Sequence, residues 1–404
     1  MPRATRVADE RFGPYEILGE IGEGGTSVVY LAEQILPIRR EVALKAIKPA
    51  MVSRAVIARA ETERQSMALM EHPNIARIID AGTSSAGRPF FVMEFVDGLP
   101  ITQFCDLHKL DVPRRAALLA DVCRAVEYAH SKGVLHRDLK PSNILVAGMS
   151  ERAMPKIIDF GIAKTLAGQL RGLNPHTEAG QLLGTLEYMS PEQADLSNRA
   201  PRPEVDVYSL GVILYELVCG VTPLRRERLE DTGIVEILRI IREEEPPAPA
   251  ERLRGLGPAA ETAALHRSCT VAALQRVLSG DLAAILQKAL AKDGKERYCT
   301  AADFANDLER YLRNEPVHAR SAGPFYRWRK LAQRHRSGII ATSAALAAVL
   351  SLAAAVIWQS GSKSSAAIPK VTPLTSYRGY EFDPAFSPDG KQFAFVWNGE
   401  GKNW

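Results

Sequence analysis

The chain has 404 residues, 46% of them apolar and 24% charged, which leaves room for two or three domains of ordinary globular make-up. This composition excludes disorder throughout, a collagen-like fibre and a disulfide miniprotein. The formal net charge of +4 is too small to call for nucleic acid, and no nucleic-acid partner is expected.

After a short N-terminal tail (1–11), Tyr15–Ala32 reads YEILGEIGEGGTSVVYLA. Apolar alternation on both sides of a glycine cluster predicts two strands joined by a Gly-rich hairpin. Gly22, Gly24 and Gly25 would let the backbone approach a phosphate and offer it N–H donors. In a dinucleotide-binding fold such glycines would open a helix instead. Val42-Ala43-Leu44-Lys45 predicts a short strand carrying an inward-facing lysine, which in apolar surroundings needs a partner or loses its charge. A helix is predicted next, with Val56, Ala60, Glu63 and Met67 on one face. Glu63 then turns a carboxylate toward the core, and a Lys45–Glu63 pair would hold the ammonium where nucleotide phosphates meet it. A surface role is the other reading of a glutamate here, and it suits Glu61 better than Glu63.

Leu118, Val122, Ala125, Val126 and Ala129 share one side of a helix predicted over Arg114 to His130 and ended by Gly133. Then comes His136-Arg137-Asp138-Leu139-Lys140-Pro141-Ser142-Asn143, denser in charge and amide than solubility requires. Sixteen residues past Asn143, an apolar strand, Lys156-Ile157-Ile158, ends in Asp159. Asn143 and Asp159 carry hard oxygen ligands of the kind Mg²⁺ takes when it also binds phosphates. Asp138 could accept a proton from an attacking hydroxyl.

The succession of glycine loop, VALK, helix glutamate, HRDLKPSN, DFG and GTLEYMSPE runs from Tyr15 to about Leu312. It resembles the eukaryotic-type (Hanks-type) Ser/Thr protein kinases, specifically the bacterial membrane-anchored ones. The resemblance implies an α+β, two-lobed protein-kinase fold over 12–312, with a small β-rich lobe (about 12–95), a larger helical lobe (about 96–312), and ATP with Mg²⁺ between them. It implies that Ile21, Gly22, Glu23, Gly24, Val28, Val29 and Ala43 cover the nucleotide, and that Lys45, paired with Glu63, meets the α- and β-phosphates. Met93 is then at the back of the adenine pocket, with hinge backbone contacts at Glu94 and Val96. Asp138 is the implied catalytic base, Lys140 the γ-phosphate contact, and Asn143 and Asp159 the Mg²⁺ ligands. Asp206 of DVYSLG is implied to brace the catalytic loop, and Glu192 and Arg297 to form a structural ion pair.

Lys140 together with Thr185 is the Ser/Thr arrangement of the family, so the implied acceptors are Ser and Thr hydroxyls of proteins. Ser27 stands where the family's third glycine would be, and Ser190 replaces the usual alanine of the final motif. Neither change removes a catalytic group, which disfavours the alternative of a nucleotide-binding pseudokinase scaffold. In the activation segment, Asp159–Glu192, Thr177 is the preferred phosphorylation site and Thr165 a second candidate, with Arg137 placed to receive the phosphate. The other reading of Thr177 is an ordinary loop hydroxyl. Autophosphorylation would make a homodimer one partner.

Within an insert at about 225–280, Ile234–Ile241 reads as a helix that EEEPPAP breaks, while Arg252–Val277 is rich in Ala and charge. Substrate docking, a dimer contact and a plain linker all remain open for it. The five cysteines show no metal-ligand spacing and read as reduced packing residues. Residues 313–337 form a basic juxtamembrane segment, with five Lys/Arg between Arg327 and Arg336. Anionic lipid is its expected contact, nucleic acid the competing one. Gly338–Trp358 is a 21-residue uncharged stretch, long enough to span a membrane of about 30 Å hydrocarbon thickness. The charge asymmetry around it predicts a single-pass protein of the cell membrane, kinase domain cytoplasmic and C-terminus extracytoplasmic. No signal peptide is read at the N-terminus. In 359–404, a linker precedes FDPAFSPDGKQFAFV, a predicted hairpin with an Asp389-Gly390 turn. It resembles one strand pair of a TolB-type β-propeller, which is taken here as an incomplete copy of a truncated module.

Overall fold

The computed structural model describes residues 10–25, 27–49, 70–149, 152–160, 186–195, 202–224, 232–320, 323, 326, 330, 336–361 and 368–399. The chain divides into two compact units, 1–335 and 336–404.

The first unit begins with a five-stranded antiparallel sheet in the order β1-β2-β3-β5-β4. Its strands are β1 (Tyr15–Glu23), β2 (Ser27–Gln34), β3 (Arg40–Ile47), β4 (Ile78–Thr83) and β5 (Pro89–Glu94). Successive side chains of a strand point to opposite faces, and here both faces are used. Val42, Leu44 and Ala46 join Phe12, Tyr15, Tyr30, Phe90 and Val92 in an aromatic-rich core on one side, where Phe12 and Phe90 meet edge to face at 5.4 Å. The intervening Ala43, Lys45 and Ile47 must therefore face the other way, toward the rest of the unit. The strand period alone aims Lys45 at a cleft.

The larger lobe is helical. Helix α1 (Ile101–Leu107) leads into α2 (Val112–Ser131), whose N-cap, Asp111, accepts the Arg114 N–H at 2.9 Å. Its buried face contains the stripe read from the sequence, Leu118, Val122, Ala125, Val126 and Ala129, and is widened by Arg115, Ala116, Leu119 and Cys123. A short sheet, β6 (Leu99–Pro100), β7 (Ile144–Ala147) and β8 (Met154–Ile157), carries the segment between Asn143 and Asp159. Two helices follow, α3 (Pro191–Ala194) and α4 (Glu204–Cys219). α4 is apolar on almost every side and buried on almost every side, as expected of a helix surrounded by protein. Gly211 is what lets it in: a Cβ there would lie 3.0 Å from Ala289 Cβ and Leu290 Cδ2. Gly220, at φ 88°, ends the helix in the left-handed conformation that glycine adopts without strain.

The insert is no plain linker. Among its described residues it forms α5 (Ile234–Glu243), α6 (Pro249–Arg254), α7 (Ala259–Leu265) and α8 (Val271–Leu278). Leu253, Ala263, Leu274 and Leu278 enter the main core, while Ile237, Leu238 and Ile241 of α5 pack with Leu186 and Ala194. The EEEPPAP stretch does break α5 as its prolines require.

Helices α9 (Asp281–Ala289) and α10 (Ala301–Leu312) complete the lobe, but the packed structure runs past 312. The buried Asp307 carboxylate accepts the backbone N–H groups of His318 at 2.6 Å and Ala319 at 2.7 Å. Asp281 accepts from Tyr326 Oη at 3.1 Å and pairs with Lys330 Nζ at 2.5 Å. Lys330, counted in the sequence with a lipid-contacting run, is thus 6% exposed and held by protein. Of the cysteines, Cys105, Cys123 and Cys219 are buried and Cys269, partly buried, packs against the same core, while Cys299 is exposed and is not accounted for by packing.

The second unit holds a 26-residue helix, α11 (Arg336–Gly361), and the hairpin β9 (Glu381–Phe386) and β10 (Phe393–Trp397). Gly390 sits at φ 65° in its turn. Side chains of α11 are described from residue 345 to 359; counting described residues alone, no helix is long and apolar enough to cross a membrane.

Candidate active site

Lys45 is 6% exposed, and its ammonium forms an ion pair with the Asp159 carboxylate. A buried lysine stays charged only with such a counter-ion. Glu63, Thr165 and Thr177 lie outside the described residues, so Asp159 is the partner that can be named for Lys45 here. Asp159 occupies φ 63°, a left-handed conformation uncommon for a residue with a Cβ. Aspartate tolerates it better than most residues, and the turn it makes swings the carboxylate off the end of β8 toward Lys45.

The loop from His136 to Asn143 is fixed from beneath. Asp206 of α4, fully buried, accepts the backbone N–H of His136 at 2.8 Å and of Arg137 at 2.7 Å, and it meets His130 Nε2 at 2.8 Å. Burial by itself would raise the Asp206 pKa; the hydrogen bonds from His130 and the loop outweigh that and hold it below the ordinary carboxylate range. Burial pushes the His136 imidazole down, so its neutral form is favoured. The hydrogen-bond network assigns its tautomer: Nδ1 accepts the Asp138 N–H at 3.2 Å, leaving Nε2–H to face the Ile158 carbonyl at 3.3 Å.

The groups expected to do chemistry converge on this frame. Asn143 donates from Nδ2 to the Asp138 carbonyl at 2.8 Å, with its carboxylate at 3.4 Å. Lys140 Nζ is 3.5 Å from the Asp138 carboxylate. The Ile158 N–H donates to the Asn143 carbonyl at 2.9 Å, tying the loop to the strand that ends in Asp159. No group of three or more His, Cys, Asp or Glu among the described residues could cage a metal. Asn143 and Asp159 instead offer hard oxygens of the kind Mg²⁺ uses when phosphates and water complete its octahedron, so this donor set fits that ion.

Above the loop, Ile21, Val29 and Ala43 line an apolar pocket together with Lys45, Met93, Glu94 and Val96. Phe95, Leu145 and Ile158 line it too, and sequence reasoning missed them. Leu145 had a legible signal, lying two residues beyond Asn143 at the start of an apolar strand. Gly22, Glu23 and Gly24 form the hairpin end instead, where Gly24 N–H bonds to the Ser27 carbonyl at 2.8 Å and Glu23 pairs with Lys48 at 2.9 Å.

Ser190 does more than replace an alanine. It is the N-cap of α3 in a reciprocal capping box with Gln193, and the S-x-x-Q signature was present in the sequence. Next to it, Glu192 pairs at 2.9 Å with Arg297, whose guanidinium is fully buried and also donates to the carbonyls of Ala291, Lys292 and Glu204.

This arrangement has an apolar slot, a buried cation beside a carboxylate, and a braced carboxylate at the floor. It suits a planar apolar ring joined to a polyanion, with a base at the polyanion's far end.

Comparison with known proteins gives the same answer. The family model described as protein kinase domain matches residues 15–307. The chain is similar to serine/threonine-protein kinase PknB of Mycobacterium tuberculosis, 34% identical over 308 residues, or 75% of this chain and 44% of that protein. It is also similar to serine/threonine-protein kinase Pkn1 of Myxococcus xanthus, 32% identical over 301 residues, 74% of this chain and 38% of that one. It therefore spans less than half the length of these curated relatives. The crystal structure of the Mycobacterium tuberculosis PknI kinase domain shares the fold, with a TM-score of 0.51 at 23% identity over 74% of this chain and 97% of that one.

Proposed function

The chain belongs to the protein kinase family, and on that premise we propose that it is a membrane-anchored Ser/Thr protein kinase. It transfers the γ-phosphoryl group of ATP to Ser and Thr hydroxyls of proteins and phosphorylates its own activation segment. The observation that carries this reading is the Lys45–Asp159 pair in the lining of the apolar pocket, with the adjoining Ile158 bonded to Asn143 of the Asp138–Asn143 loop.

In this reading the apolar pocket takes adenine, and the backbones of Glu94 and Val96 offer it hydrogen bonds. Lys45 holds phosphate oxygens, and Asn143 and Asp159 would hold Mg²⁺, which supplies neutralisation of phosphate charge. Asp138 accepts the proton of the attacking hydroxyl as the new O–P bond forms, and Lys140 lies beside it against the transferred group. Little covalent work falls to the protein; it positions groups and compensates charge. The relatives named as Ser/Thr kinases support a Ser or Thr acceptor, as does Lys140 two residues after Asp138. Thr177 is the proposed switch site, with Thr165 second.

Anchoring rests on α11. Leu346, Val349, Leu350, Leu352, Val356 and Ile357 are each more than half exposed; at 100° per residue they share one broad side of the helix, and the opposite side, with Ala348, Ser351, Ala355 and Trp358, carries no charge either. Such a surface is costly in water and favourable in hydrocarbon. The proposed orientation places the kinase unit on the cytoplasmic side and the β9–β10 hairpin, read as propeller-like, outside.

The test is autophosphorylation of the full chain in lipid nanodiscs with Mg-ATP, beside Asp138→Ala, with modified sites mapped by mass spectrometry. Phosphate on Thr177 or its neighbours in the wild type only is the expected result. A folded, ATP-binding wild type that transfers no phosphate to itself or to a generic protein would replace this reading with a nucleotide-binding scaffold. Extraction of the chain from membranes by alkaline carbonate would overturn the anchor.

A further inference from the structure

The residue next to the catalytic base is held in an unfavourable backbone conformation, and both of its peptide groups are gripped. Arg137 has φ 62°, in the left-handed region that is unfavourable for a residue with a Cβ and persists only where neighbours impose it. Its N–H is taken by Asp206, as described. Its carbonyl is taken by Gln193 of α3, whose Nε2 donates to it at 2.8 Å. The other end of the same amide is also committed: Gln193 Oε1 accepts the Ser190 N–H at 3.1 Å and lies 3.2 Å from Ser190 Oγ. These bonds fix which end of the amide is which, because only the NH₂ can meet a carbonyl while the oxygen meets an N–H.

We propose that Gln193 is a positioning residue for phosphoryl transfer, acting through the Arg137 carbonyl to fix the direction in which Asp138 leaves the loop. The inference rests on the kinase reading and adds to it a direct tie between the end of the activation segment and the catalytic loop. Asp206 and Gln193 hold the two ends of one strained residue, so loss of either lets Arg137 relax toward an ordinary φ. A turn of that peptide displaces the Asp138 side chain, and a displacement of about 1 Å at the reacting groups can cost about a hundredfold in rate.

The two jobs of Gln193 can be separated chemically. Gln193→Glu keeps the oxygen that accepts from Ser190, since S-x-x-E caps a helix as well as S-x-x-Q does. It replaces the donor to Arg137 with an oxygen facing a carbonyl. Ser190→Ala removes the hydroxyl half of the cap and leaves the bond to Arg137 in place. Both are made in the full chain, and kcat, the KM values for ATP and a generic protein substrate, and Tm are measured beside the wild type. Gln193→Glu is expected to lower kcat about tenfold or more with both KM values and Tm near wild type, whereas Ser190→Ala lowers Tm and leaves kcat within about twofold. Undiminished kcat in Gln193→Glu overturns the assignment, and so does a loss of kcat matched by Ser190→Ala. Absence of transfer by the wild type instead removes the kinase reading itself, which the wild-type arm reports separately.

Discussion

The carboxylate of Asp206 receives the Arg137 N–H at 2.7 Å from a helix that lies 69 residues further along the chain. It is a fully buried acid whose proton is held off by His130 and the loop's own peptide groups, so the charge of α4 is what the His136–Asn143 loop folds upon. Asp206→Asn keeps the shape but can accept with one oxygen only, and its amide faces donors. The expected outcome is a Tm lowered by several degrees and a kcat down tenfold or more, with nucleotide affinity changed less. Equal kcat in a variant of lowered Tm would separate the brace from the chemistry.

Lys45 and Asp159 form an ion pair in the lining of the apolar pocket. Lys45→Met removes a buried cation and replaces it with an apolar chain of similar length, so stability is expected to fall little, because Asp159 keeps access to solvent. ATP affinity, measured by calorimetry in the presence of Mg²⁺, is expected to weaken at least tenfold, about 1.4 kcal/mol. Unchanged affinity would mean that the pair does not open to nucleotide.

Burial pushes the Glu216 carboxyl up to about 7, more than the hydrogen bond from Tyr188 Oη, at 2.6 Å, and the nearby Arg267 pull it down. The folded protein therefore binds this proton more tightly than the unfolded chain. Its contribution to stability is full below the ordinary carboxylate range and is lost as pH rises through about 7, a change on the order of 3 kcal/mol. Urea midpoints taken from about pH 5 to about pH 8 should fall more steeply for the wild type than for Glu216→Gln. Parallel profiles would show that Glu216 does not carry the dependence.

Asp307 joins the chain beyond α10 to the body of the large lobe through His318, Ala319 and Tyr298 Oη, the last at 2.9 Å. Asp307→Ala leaves the buried Tyr298 hydroxyl and two part-buried backbone donors without it, and an unmet buried donor costs about 1–3 kcal/mol. The expected result is a loss of a few kcal/mol and faster amide exchange over 317–320. Wild-type exchange there, in a destabilised variant, would show that this segment docks without the carboxylate.

Much of the small lobe and of the loop was legible because local rules decide it. Alternation on β3 aims Lys45 away from the aromatic core, the glycines close a hairpin between β1 and β2, and the spacing on α2 defines its buried stripe. The insert was less legible, since α6, α7 and α8 are short and take their stability from a core they share through Leu253, Ala263, Leu274 and Leu278.

By itself the sequence pointed to the groups that the proposed chemistry would need: a lysine, two carboxylates and an amide, in an order tied to one family. Their residue types are chemical requirements and do not depend on where the chain folds. Only the tertiary structure decided how they are held, because those contacts join residues far apart in the chain. Asp206 under Arg137, Gln193 on the same residue's carbonyl, and Asp281 over Lys330 are pairings of distant segments that burial strengthens. The same isolation from water that makes such bonds strong also makes them costly to leave unmade, which is why they fix the geometry that the motif residues require.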